Sequence, residues 1–246
     1  MANSELENNL DYLKLLHLRD NIHELAAEAA RKQMSHLDFF SSVISDEVLN
    51  KQDRAVQRRI QQSQLPLVKT LESFDWTHPE DINRDHVRHL FNLHWVAERA
   101  NVVFLGPPGT GKTHLALALA YQACTQRYNV RFAKLDDVLT ELEVAWNTHS
   151  FENKLKSFIL PDVLVLDEIG YLSVPQHRAE LFFRLVSTRY ERGSTVLTTN
   201  RSFTDWPQIF ANDATISSGL IERILHRHEL VTIQGKSYPM RNHRSQ

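Results

Sequence analysis

Residues 102–105 form an apolar run that leads without a gap into Gly106-Pro107-Pro108-Gly109-Thr110-Gly111-Lys112-Thr113, and a helix-forming stretch opens at Lys112. Few local sequences constrain a fold as tightly. The pattern G-x-x-x-x-G-K-[ST] after a strand and before a helix needs glycines so that backbone N–H groups can turn inward around phosphates. Lysine then reaches the β and γ oxygens, and the threonine hydroxyl can ligate Mg²⁺. The N-terminal partial charge of the helix adds to the attraction. Gly106, Pro107, Pro108, Gly109, Thr110, Gly111, Lys112, Thr113 and His114 are therefore assigned to a nucleotide, ATP, and Thr113 to its Mg²⁺.

A phosphate loop requires a parallel sheet behind it, and the chain downstream of residue 66 supplies one. Short β-rich runs at 102–105, 130–133, 163–166, 195–199 and 230–233 alternate with helical stretches at 112–127, 136–146, 176–191 and 216–226. Strands joined by crossover helices cover both faces of a parallel sheet, and ligands then bind at the carboxyl ends of the strands. The expectation is an α/β domain over 66–246 with a doubly wound, five-stranded parallel sheet.

Residues 1–65 show no β-type alternation and are expected to form a small all-helical domain. Leu6, Leu10, Leu13 and Leu16 make one helical stripe, and Ile22, Leu25, Ala26 and Ala29 continue the pattern in 21–34. Ser35-His36-Leu37-Asp38 fits a capping box, followed by Leu37, Phe40, Ile44 and Val48 at helical spacing. A further helix is expected over 46–62, closed by Leu65-Pro66.

Two carboxylates, Asp167 and Glu168, end the apolar run at 163–166. At the carboxyl end of a central strand they face the phosphates, so Asp167 is expected to hold the Mg²⁺ water shell and Glu168 to polarise an attacking water. This pair argues for hydrolysis over small-molecule phosphorylation. Asn200 closes the next strand; it fits a turn former or a sensor of the γ-phosphate, and beside the other motifs the sensor role is preferred. Arg223 and Arg227, four apart and so on one helical face, are candidates for an arginine acting on a neighbouring subunit's γ-phosphate, Arg223 first. The catalytic set is thus Lys112, Asp167, Glu168, Asn200 and Arg223. His86 and His89 lie three apart without a third ligand at metal-site spacing.

Net charge is −2, which alone gives nucleic acid no support, but its distribution is uneven. Residues 1–50 carry four basic and nine acidic side chains, whereas 51–70 carry Lys51, Arg54, Arg58, Arg59 and Lys69 against one acid. That basic block reads as a solvated helix face or as a phosphate-binding patch. One cysteine, Cys124, and no apolar leader or run of about 20 apolar residues point to a cytoplasmic, soluble chain without membrane contact.

The phosphate loop, the Asp-Glu pair, the sensor asparagine and the late arginine together resemble the AAA+ ATPases. Residues 166–210, LDEIGYLSVPQHRAELFFRLVSTRYERGSTVLTTNRSFTDWPQIF, resemble the IstB-like insertion-sequence transposition helper ATPases, relatives of DnaC-type helicase loaders, and residues 62–76 are similar to that family's interdomain junction. The resemblance implies ATP-dependent homo-oligomers on double-stranded DNA, a cognate transposase as partner, and Arg223 acting in trans. It also implies a DNA-facing helix near 140–157, where Lys154 and Lys156 join Lys51, Arg54, Arg58 and Arg59 as candidate DNA contacts. The chain stops soon after 230–233, so no C-terminal helical lid is expected. A DnaC-type helicase loader is the nearest alternative, and a small-molecule kinase a more distant one.

Overall fold

The computed structural model describes residues 2–235, and the chain divides into two compact units, Met1–Arg58 and Arg59–Gln246. The first unit holds α1 (Ala2–Tyr12), α2 (Leu16–Arg31) and most of α3 (His36–Gln62). Its core is small: Leu10, Leu18 and Val43 are buried, with Leu15, Ile22, Leu25 and Phe39 packed around them. A carboxylate completes it. Glu47, only 2% exposed, accepts a hydrogen bond from the Leu18 N–H at 2.8 Å, satisfying a free donor in the first turn of α2.

Two expectations are corrected here. The helices expected near 37–48 and 46–62 are one continuous helix, because nothing between Asp46 and Leu49 breaks it. Its start is as the capping box implies, with the Asp38 N–H donating to Ser35 Oγ. The apolar stripe Leu37, Phe40, Ile44 and Val48 is not its buried face, however. Those residues are exposed, and α3 is buried instead through Val43 and Glu47, with Phe39 alongside.

The second unit is built on a five-stranded parallel sheet. After the short helices α4 (Arg84–Leu90) and α5 (His94–Ala97) come β1 (Asn101–Leu105), α6 (Lys112–Thr125), β2 (Val130–Lys134), α7 (Leu135–Asn147), α8 (Phe151–Ile159), β3 (Val163–Ile169), α9 (Gln176–Arg189), β4 (Ser194–Thr199), α10 (Trp206–Ile209), α11 (Ala214–Leu225) and β5 (His228–Thr232). The strand order is β2-β3-β4-β1-β5, and every pairing is parallel. Strand residues alternate between two apolar layers. Val102, Phe104, Val165 and Val196 pack with Leu115, Leu119 and Ala123 of α6, whereas Val103, Leu164, Leu166 and Leu197 pack with Leu139, Phe182 and Leu220 on the other face. That alternation with both faces covered is what produces continuous apolar strands.

The extra helix expected near 140–157, beyond the one at 136–146, is α8, set apart from α7. His149, at φ +55°, separates the two. The connection β1–α6–β2 passes over β4 and β3, while β4 returns past β1 to β5. The carboxyl end of β1 therefore lies at the switch point where such sheets open a crevice. The expected absence of a lid concerns residues 236–246, which lie outside the described residues. No helix among the described residues is long and apolar enough to cross a membrane.

Candidate nucleotide site

The phosphate loop leaves β1 held against its neighbours. The Gly106 N–H donates to the Thr199 carbonyl at 3.1 Å, and a Cβ at Gly106 would collide with the Ile233 carbonyl oxygen. Gly111 stands at φ +95° as the residue before α6, and a Cβ there would lie 2.6 Å from Phe74 Cε2. Only glycine combines that backbone angle with that close approach. Thr110 Oγ1 and Lys112 Nζ both donate to the Pro107 carbonyl, at 2.9 and 2.7 Å. Burial pulls the Lys112 ammonium from its ordinary 10.5 down to about 8, against the opposing attraction of Asp167.

Thr113 and Asp167, far apart in sequence, meet here. Thr113 Oγ1 donates to Asp167 Oδ1 at 2.9 Å, with Oδ2 at 3.1 Å. The Thr198 hydroxyl, from the adjacent strand β4, donates to Asp167 Oδ1 and accepts the Glu168 N–H at 3.0 Å. One buried carboxylate is thus oriented by two hydroxyls. A hydroxyl and a carboxylate are the hard oxygen donors that Mg²⁺ takes, and that ion fills its remaining positions with water and phosphate instead of a protein cage.

Glu168 is placed by an irregularity in the sheet. The β3–β4 register shifts between Leu166 and Ile169, and Glu168 adopts φ +64°, a costly angle for a residue with a side chain. Its carboxylate turns to the end of β2, where Lys134 Nζ lies 3.0 Å away. Both residues are substantially exposed, and Glu168 borders the same cavity as Lys112 and Thr113.

That cavity, about 540 Å³, runs from the phosphate loop to the segment 69–78. Lys69, Ser73, Phe74, Asp75, His78, His114, Tyr171 and Thr198 complete its lining. Two histidines fasten the segment to the loop: His114 Nε2 contacts the Thr70 carbonyl at 3.1 Å, and His78 Nε2 the Gly109 carbonyl at 3.0 Å. Burial and the nearby Lys69 lower the His114 pKa, and the Thr70 carbonyl opposes them.

Other expected residues fall elsewhere. Asn200 follows β4, but Thr198, not Asn200, touches Asp167; the Asn200 Oδ1 is buried without a hydrogen-bond partner. Arg223 and Arg227 do not share a helical face, because α11 ends at Leu225. They instead border one cavity of about 210 Å³ with Arg99 and Arg189 at the amino ends of β1 and β4, about 17 Å of strand from the phosphate loop. Arg223 lies over the Phe183 ring at 4.8 Å and donates to the Gly219 carbonyl. Arg189 is spent on carbonyls of Phe158, Ile159, Pro161 and Ser194, and burial lowers its pKa to about 10.

Among the candidate DNA contacts, Arg54 is paired with Glu47 at 3.4 Å and Lys154 with Glu141 at 3.1 Å, which leaves both partly neutralised. Lys51, Arg58 and Lys156 are exposed, and Arg59 is half-buried. His86 is engaged by Glu229 at 2.8 Å. Sequence reasoning passed over Thr198, Lys134, Phe74 and His78, and set Lys69 in the basic block. The signal for Thr198 lay in the same Thr198-Thr199-Asn200 triplet, where a buried-strand hydroxyl opposite an acid deserved equal weight.

Residues 8–246 match the model of the family described as IstB-like ATP binding protein. The chain belongs to that family. It is 39% identical over 240 residues to the insertion sequence IS21 ATP-binding protein of Pseudomonas aeruginosa, covering 98% of this chain and 90% of the relative. It is 33% identical to the insertion sequence IS5376 ATP-binding protein of Geobacillus stearothermophilus, covering 96% and 95%. Among solved structures, the DnaC helicase loader aligns with a TM-score of 0.56 at 24% identity, covering 67% of this chain and 96% of that one. AMPPCP-bound DnaA from Aquifex aeolicus aligns with a TM-score of 0.57 at 21% identity, covering 70% and 51%. Both likenesses show a shared fold, the doubly wound parallel sheet expected from the alternation of strands and helices.

Proposed function

We propose that this chain is an ATP hydrolase that assists transposition: with ATP it assembles as a homo-oligomer on double-stranded target DNA and recruits a transposase, and hydrolysis releases the assembly. The observation that carries hydrolysis is the convergence of Thr113, Asp167 and Thr198 at the phosphate loop with Glu168 on the same cavity wall. Thr113 and Asp167 would hold Mg²⁺, which when bound screens the phosphate charge. Lys112 binds the β and γ oxygens. Glu168 takes a proton from water as the water oxygen bonds to the γ-phosphorus and the bond to the ADP oxygen breaks, leaving ADP and inorganic phosphate. Asn200, whose buried Oδ1 has no hydrogen-bond partner, is kept as the candidate sensor of the γ-phosphate.

Among the described residues no arginine lines this cavity, and Arg223 and Arg227 border a cavity at the far end of the sheet. Their service to a γ-phosphate therefore requires a second copy, packed head to tail. DNA contact is assigned to the helical residues 1–65 and to α8, with Lys51, Arg58, Arg59 and Lys156 the cations still available and Arg54 and Lys154 secondary. The names of the most similar relatives, all insertion-sequence proteins, support the transposition role. The likeness to a DnaC helicase loader is the observation behind the second reading, a helicase loader.

Turnover of ATP by wild type and by Glu168→Gln, with and without duplex DNA, tests the first proposal. Loss of about a hundredfold or more in the variant is expected, and equal rates would remove Glu168 from the chemistry. Copurification with transposase against replicative helicase separates the two partner readings.

A further inference from the structure

The cavity at the phosphate loop has two lysines on its wall, and only one belongs to the motif. Lys112 comes from the loop; Lys69 comes from the segment before α4, forty-three positions earlier. In sequence Lys69 falls with the basic run that begins at Lys51, which a surface reading assigns to solvent or DNA. The fold separates it from that run. Lys69 is half-buried at the cavity. Lys134 and Lys154 each hold a carboxylate, whereas Lys69 has none among the described ion pairs.

The segment that carries Lys69 is held by four contacts. The carbonyl of the next residue, Thr70, and the Ser73 hydroxyl lie 3.1 and 3.3 Å from His114 Nε2. Phe74 fills the space beside Gly111 that a side chain there would occupy. His78 meets the Gly109 carbonyl. The segment is thus fastened along the phosphate loop and the first turn of α6. Thr113 and His114 are adjacent on that helix and point about 100° apart. Thr113 faces Asp167 and Thr198, where a γ-phosphate and its metal belong. His114 faces the Lys69 segment, and the Lys69 charge is close enough to resist protonation of His114.

We propose that Lys69 is a second phosphate-binding cation of this site, reaching the α- and β-phosphates from the 69–78 segment while Lys112 serves the β and γ oxygens. The inference rests on the nucleotide-binding part of the reading above and deepens it. A half-buried ammonium with no carboxylate partner among the described ion pairs has its donors available for an anion entering the cavity. It also gives the segment a role: bound nucleotide adds a further bridge between it and α6.

The test is direct titration of Mg-ADP and Mg-ATP, by calorimetry, into wild type, Lys69→Met and Lys69→Arg at two salt concentrations. Lys69→Met should weaken ADP and ATP by the same factor, about tenfold, for a lost hydrogen bond to a charged group. Lys69→Arg should keep most of the affinity, and the Met variant should show the shallower salt dependence. Its nucleotide-free unfolding temperature should match wild type, while the rise on adding ADP shrinks. Unchanged affinity for both nucleotides overturns the proposal, as does a loss confined to ATP, which would put Lys69 at the γ end. If the Met variant is itself less stable, the Arg variant decides: failure to restore ADP binding while restoring stability also overturns it. Wild type that binds neither nucleotide would instead sink the parent reading.

Discussion

Replacing Lys112 with methionine should make the nucleotide-free protein more stable, although it removes a central binding residue. The ammonium is almost wholly buried at 6% exposure and is held by one carbonyl, that of Pro107. Its pKa falls from the ordinary 10.5 to about 8. At about 1.4 kcal/mol per tenfold change, keeping it charged in the folded state costs at most about 3 kcal/mol. Methionine has similar length and no charge, but it leaves the Pro107 carbonyl without that donor, a loss of about 1 kcal/mol. The net gain is about 1–2 kcal/mol, or roughly 3–6 °C in Tm for a unit of this size.

The sign of the pH dependence follows from the same shift. Between about 8 and 10.5 the unfolded chain holds the Lys112 proton and the folded chain does not. The wild-type contribution therefore rises with pH across that window, and the penalty is complete below it. The advantage of Lys112→Met should be full at pH 7 and mostly gone near pH 10. Saturating Mg-ADP should reverse the order at pH 7, since a ligand at 100 times its Kd adds about 2.7 kcal/mol to wild type and nothing to a variant that does not bind. Urea unfolding at pH 7 and 9.5, with and without ADP, reads all of this. A variant less stable than wild type without nucleotide, or a gap of equal size at both pH values, would refute the reasoning.

Lys134→Met should release Glu168 toward the cavity and raise basal ATP turnover, by at most about fivefold, because an exposed ion pair is worth no more than about 1 kcal/mol. A steady-state phosphate-release assay checks this, and a fall in turnover would show that Lys134 serves the reaction directly. Thr198→Val removes the hydroxyl that bridges Asp167 and the Glu168 N–H. It should lower stability by about 1–3 kcal/mol in chemical denaturation and reduce turnover more than it weakens ADP binding.

What was legible in the sequence was whatever local geometry enforces, and what was hidden was whatever a distant segment supplies. The phosphate loop could be read because a strand, a glycine turn and a helix start are consecutive, and the central strands β1 and β3 because burial on both faces gives each a continuous apolar run. The apolar stripe on α3 misled for the complementary reason. Periodicity says that a helix has an apolar face, but Val43 and Glu47 are buried, and the stripe beside them is exposed. No spacing rule says that a glutamate outcompetes a leucine for the inside; the free N–H groups at the start of α2 do. Thr198, Lys134 and Lys69 follow the same logic. Each is an ordinary residue in its own neighbourhood and acquires a task only when the parallel crossover brings β4, β2 or the 69–78 segment to the end of β1 and β3. A site assembled at a switch point is therefore half readable by construction. The loop that closes on the ligand declares itself, and the residues that tune it from neighbouring strands are found by asking which side chains each buried acid and lysine must meet.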